Sequence, residues 1–338
     1  MHITEGIITG SAAVLYAAAG VSAVSLGVIQ MKRFVRDAPE HKPLLGMGAA
    51  IIFFVSLLPI PAFTGTCSHP AGTPLVAILL GPVIGFALTG AVLLLQAAFF
   101  AHGGFGTWGA NVIALGCCGC LFGWGAFRLA RLLGFPIWAA GMAGGLLGNV
   151  MVYAASGLIL GVALFGAPEP RYSLVGYLLA IYTAYLPTQL PIAVGEMLLT
   201  GLALHYANRQ RPEVLADLGV TRGRRRSGPP VGIAILFVAL LVFGPGKIAG
   251  VAWCQERAYD SQLNASGDTD ASPVSRFGGL DETVNERLAQ EAGLSVRDPY
   301  IDTESWGDLW NLLLLAAGGV CGFVVGRWWH ILWGVRRC

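Results

Sequence analysis

The sequence predicts an all-α polytopic membrane protein: a seven-segment helical bundle with an extracytoplasmic N-terminus, followed by two further transmembrane helices. Three observations carry this. Hydrophobic residues make up 55% of the 338 residues and charged residues only 12%, half the usual share of about 25%. The mean hydropathy of +0.66 is too apolar for a surface bathed in water. The 47 glycines suit membrane helices, where small residues let backbones approach closely. Disorder, coiled coil and a secreted disulfide scaffold are excluded. The net charge of +2 carries no nucleic-acid signal, because the basic residues form short clusters between apolar runs. The seven cysteines follow no zinc or disulfide spacing.

A membrane helix needs about 20 apolar residues. The first run is 8–29. No Lys or Arg precedes it, so it is not a signal peptide, and Lys32, Arg33 and Arg36 follow it. That order leaves the N-terminus outside. The second run is 44–62. The next, 71–101, contains Gly81-Pro82, where proline removes a backbone hydrogen bond. It reads as a short helix, 71–80, turning into a full one, 84–101. Then come 108–133, 136–165, 174–206, 232–249 and 309–326.

Charge decides in favour of the two-part reading of 71–101. With it, 15 of the 21 basic residues face the cytoplasm, including Arg128, Arg131 and the run from Arg209 to Arg226. The outside receives 250–308, with twelve acidic residues against four arginines. A single pass would invert everything after residue 101. The domain reading is therefore 1–206 as a seven-segment unit, 207–230 as a basic cytoplasmic linker, and 231–338 as a two-span unit with an acidic outer loop. The protein is expected to be a multi-pass protein of the plasma (inner) membrane with a cytoplasmic C-terminus.

This topology gathers three polar places on the outer side: Met1-His2, the loop TGTCSHPAG (64–72) and the turn AHGGFGTWGAN (101–111). They hold His2, His69 and His102. A chain starting Met-His offers its terminal amine, the His2 amide nitrogen and the His2 imidazole to one metal in two fused chelate rings. One planar position stays open, and a further imidazole such as His69 completes a square plane. The amine's unperturbed pKa of about 7.7–8.0 makes its deprotonation cheap near neutral pH. All-nitrogen tetragonal coordination suits late first-row divalent ions rather than Mg²⁺ or Ca²⁺.

The stretches MHITEG, IPAFTGTCSHPAGTPLVAILLGP (60–82), LLLQAAFFAHGGFGTWGAN (93–111) and QLPIAVGEMLLTG (189–201) resemble, in order and spacing, the CbiM/NikM family. This is the substrate-binding (S) component of energy-coupling-factor transporters for cobalt and nickel. The resemblance covers residues 1–206. It implies that the N-terminus inserts into the bundle and that Met1, His2 and His69 hold Co²⁺ or Ni²⁺ as transported substrate. It implies a membrane coupling subunit and cytoplasmic ABC ATPase subunits as partners. TCSHPAGT and AHGG look more like cobalt-assigned members. Segments 232–249 and 309–326 have the layout of the family's two-span CbiN/NikN-like accessory component, and GGLDETVNERLAQEAG (278–293) is loosely similar to a short acidic motif of one accessory type.

Gln96, His102 and Asn111 lie near outer helix ends, where they either hold metal-bound imidazoles in orientation or cap the Gly103-Gly104 turn. Ser68 and Thr66 are candidates to hold the loop. Glu196 lies about 15 Å from the cytoplasmic end of its span. That depth argues against metal contact and for helix packing or contact with the coupling subunit, and Pro187 and Pro191 free carbonyls that could take its proton. The chain has neither GxxxxGK[ST] nor HExxH, so it reads as no enzyme, its transport driven by partner ATPases. Two readings stay beside the transporter component. A membrane metal sensor or metalloenzyme could use the same nitrogen site, with His102 its one acid–base candidate. An autonomous permease needs polar residues repeated along a path, and none is legible.

Overall fold

The computed structural model describes residues 2–57, 60–61, 67–100, 102–221 and 280–294. Residues 2–9 form no helix and are followed by α1 (Gly10–Asp37). This helix starts two residues later than the apolar run and continues through Lys32, Arg33 and Arg36, whose long stems can carry charge to the interface. A short turn (Pro39–His41) leads into α2 (Pro43–Leu57). Two two-residue strands, β1 (Ile60–Pro61) and β2 (Cys67–Ser68), pair antiparallel with Ile60 opposite Ser68.

The break at Gly81-Pro82 is present. Helix α3 (Thr73–Leu80) ends at Gly81, whose φ of 97° only glycine adopts readily, and α4 (Pro82–Phe99) begins with proline in its first turn. Eight residues rise about 12 Å, too little to cross a bilayer. Seven of the eight are buried within the protein, where a helix end at membrane depth is tolerable. A 25-residue span, Trp108–Leu132, follows. It comprises α5 (Trp108–Asn111), a wider π turn over Val112–Cys118 and α6 (Gly119–Leu132). Then come α7 (Ile137–Phe165), α8 (Leu174–Gln210) and the short α9 (Pro212–Asp217). Among the described residues six helical stretches are long and apolar enough to cross a membrane, and α3 is not one of them.

The first part of the stretch read as a linker is helical: α8 runs on to Gln210 and α9 follows. Spans 232–249 and 309–326 lie outside the described residues. Within 250–308, the stretch loosely similar to an acidic motif contains α10 (Leu280–Glu291). It packs its Leu288 and Ala289, with Ala292 just beyond its end, into the core beside α7 and α8, and the Tyr185 hydroxyl donates to Asn285 Oδ1 at 3.0 Å.

Small residues set the helix spacing. A Cβ on Gly20 of α1 would stand 2.7 Å from Cα of Gly109, and one on Gly27 2.7 Å from Cβ of Ala87. Between α7 and α8, a Cβ on Gly145 would stand 2.6 Å from the carbonyl oxygen of Glu196. Such close approach is how membrane helices gain contact where lipid is as apolar as they are.

Candidate metal centre

Residues 2–8 descend into the bundle instead of trailing from it. His2, Ile3, Ile7 and Ile8 are all buried. The clamp is Asn111, in the first turn of the span Trp108–Leu132: its Oδ1 accepts from the Ile3 N–H at 2.8 Å and its Nδ2 donates to the Ile3 carbonyl at 3.2 Å. Thr107 Oγ1 donates to the same carbonyl at 2.7 Å. Two residues on, Glu5 accepts from the Gly106 N–H at 2.8 Å, and its side chain fills the space a Cβ on Gly104 would need. The turn's glycines are thus an imprint of the N-terminal segment. Gly103 adds a φ of 81°, and a Cβ there would touch Asn111 and His2.

His69 follows β2 and is buried. Tyr153 of α7 donates to its carbonyl at 2.9 Å. Beyond Pro70, the Ala71 and Gly72 N–H groups, orphan donors at the start of α3, donate to the two carboxylate oxygens of Glu196 at 2.6 and 2.7 Å. Asn149 Nδ2 adds a third bond at 2.7 Å. A carboxylate at a helix N-terminus with three donors explains how a fully buried Glu is accommodated. These bonds tie α8 to the loop of His69, a reach that was not legible from depth. The carbonyls freed by Pro187 and Pro191 are not its hydrogen-bond partners; the three N–H donors are.

Three segments distant in sequence bring His2, His69 and His102 together. One ring nitrogen from each lies within 4.8 Å of the other two. His69 Nε2 and His102 Nε2 are 3.2 Å apart, and the His2 and His102 ring centroids 4.1 Å. Burial holds the His2 and His69 imidazoles well below their ordinary pKa, with neighbouring cationic groups adding to the effect. Both rings are therefore neutral at pH 7, with lone pairs available for a metal. Both His2 nitrogens are buried without a hydrogen bond of ordinary geometry, although Gln96 lies beside the ring.

The sequence-predicted set is thus assembled in part. His2, His69 and His102 converge, and Asn111 supports the segment carrying His2. Gln96 donates to Ser56 Oγ at 2.7 Å, tying α4 to α2. Met1 and Thr66 lie outside the described residues, as does the side chain of Ser68. Sequence reasoning missed Thr107, Asn149, Tyr153 and Glu5. Asn149 and Tyr153, four residues apart in an apolar span, share one helix face, and that spacing was a usable signal.

Residues 2–214 match the family model CbiM, the cobalt uptake substrate-specific transmembrane region. A "Cobalt transport protein CbiM" from Geobacter sulfurreducens is 37% identical over all of this chain and 91% of its own length. One from Sorangium cellulosum is 36% identical over 66% of this chain and 97% of its own. Two solved chains, a transition metal transporter and a truncated one, align with TM-scores of 0.52 at 25% identity. They cover 66% and 62% of this chain and 100% and 99% of their own. The chain belongs to the CbiM family, a multi-pass membrane component of cobalt transport.

Proposed function

We propose that this chain is the substrate-binding component of an ATP-driven energy-coupling-factor transporter that captures Co²⁺ at the outer face, favouring it over Ni²⁺. The single observation that carries the reading is the convergence of His2, His69 and His102 at the base of a buried N-terminal segment. Neutral imidazoles in a site poor in other donors suit a late first-row ion. Met1 supplies the amine, His2 the amide and imidazole, and His69 the fourth nitrogen. Asn111 and Thr107 fix the backbone just past the chelate, and Tyr153 with Glu196 fixes the opposing loop.

Arg128 and Arg131 stand in the closing turns of α6 and Arg209 and Arg211 at the end of α8; Arg128 donates to the Gly219 carbonyl just beyond α9. Under the positive-inside rule this end is cytoplasmic and the histidines face out. Release inward is then the work of partners: a membrane coupling subunit and cytoplasmic ABC ATPases. The test is ⁵⁷Co²⁺ uptake by vesicles carrying this chain with and without those subunits. ATP-dependent accumulation only in their presence supports the reading. Equal uptake without them overturns it in favour of an autonomous permease.

A further inference from the structure

We propose that His102 is a third imidazole ligand of the captured ion, so that loading converts a hydrogen bond between two histidines into two metal bonds. This rests on the reading of Met1, His2 and His69 as donors and goes beyond it.

The argument starts from one proton. His69 Nδ1 lies 3.1 Å from the Pro70 carbonyl oxygen. A carbonyl only accepts, so Nδ1 carries the hydrogen and Nε2 keeps its lone pair. His102 Nε2 sits 3.2 Å from that lone pair and therefore donates to it in the metal-free protein. A cation on His69 Nε2 takes the lone pair and leaves the His102 N–H pointing at a positive charge. The conflict is relieved when the His102 proton passes by way of water to Nδ1. That tautomer shift changes no net charge, and Nε2 becomes a donor to the ion.

Distances agree. Imidazole nitrogens sit about 2.0–2.1 Å from a first-row ion, so adjacent donors stand about 2.9 Å apart at a right angle and about 3.4 Å at the tetrahedral angle. The observed 3.2 Å lies between, so neither ring has to move apart or together. In the chelate the amine lies opposite the His2 imidazole and the amide opposite His69, so the three imidazoles are mutually adjacent donors, and His2, whose nitrogen lies within 4.8 Å of the other two, closes on them by up to about 2 Å. The set becomes five nitrogens: amine, amide and imidazole nitrogens with one axial position filled. Square-planar Ni²⁺ needs no axial donor, whereas Co²⁺ accepts a fifth. His102 thereby biases the site towards cobalt.

X-ray absorption on the full chain loaded with Co²⁺ alone counts imidazoles directly, by their multiple-scattering pattern. Three are expected in the native protein and two in His102→Gln, with Co²⁺ affinity lowered about 10–100-fold or more and Ni²⁺ affinity lowered less. Two imidazoles in the native protein, where no variant has to fold, would overturn the proposal. Full Co²⁺ binding by His69→Ala would instead overturn the donor set on which it rests.

Discussion

Glu196 and Gly72 are hydrogen-bonded at 2.7 Å across 124 residues of sequence, carboxylate to backbone amide. This contact, with its twin at Ala71, ties α8 to the loop that carries His69. Glu196→Ala should strand three buried donors. Each stranded donor costs about 1–3 kcal/mol, so a marked fall in thermal stability is expected. Glu196→Gln keeps the shape but turns an NH₂ group towards donors, and should weaken metal retention about 10-fold or more, as loss of a supporting bond does. Equilibrium Co²⁺ binding on both variants checks this; unchanged affinity in both would separate Glu196 from the loop.

Asn111→Ala removes both bonds to Ile3 and should cost about 10–100-fold in metal affinity. Gln96→Ala loses a bond to Ser56 on the neighbouring helix and should cost less. Calorimetric titration of the pair with Co²⁺ gives the ranking, and the reverse order would show that the N-terminal segment is held by other means.

An extension ahead of Met1 turns its amine into an amide and displaces His2 from a pocket where it is only 2% exposed. A fusion there should abolish metal retention, whereas the same fusion placed after Cys338 should not. Metal content of the two purified fusions decides it, and one equivalent of cobalt in the N-terminal fusion would refute the chelate.

Topology is testable at two exposed positions on opposite ends of the bundle. With other cysteines replaced, Tyr172→Cys in the α7–α8 turn should react with an impermeant thiol reagent from outside. Leu133→Cys, beside Arg131, should react only after permeabilisation. The opposite pattern would place the histidines inside the cell.

Most of the span pattern was legible because a bilayer imposes length and apolarity locally. Gly81-Pro82 marked its break in the open, and Met1-His2 with His69 carried recognisable chemistry. What could not be read depends on contacts between distant segments. The Glu196 bonds to Ala71 and Gly72 have no local signature, and neither does Glu5 filling the space above Gly104. His102 was placed with His2 and His69 at the outer side, but its 3.2 Å approach to His69 could not be read from the sequence. Helix α10, polar in composition, gave no apolar run to find.

The burial of the N-terminal segment also has a kinetic meaning. Ile3, Ile7 and Ile8 are each no more than 4% exposed, and withdrawing them costs about 2 kcal/mol apiece. On the proposed reading, an ion held at His2 is expected to leave outward no faster than this stretch opens, so that its residence time follows a local opening rather than ligand exchange.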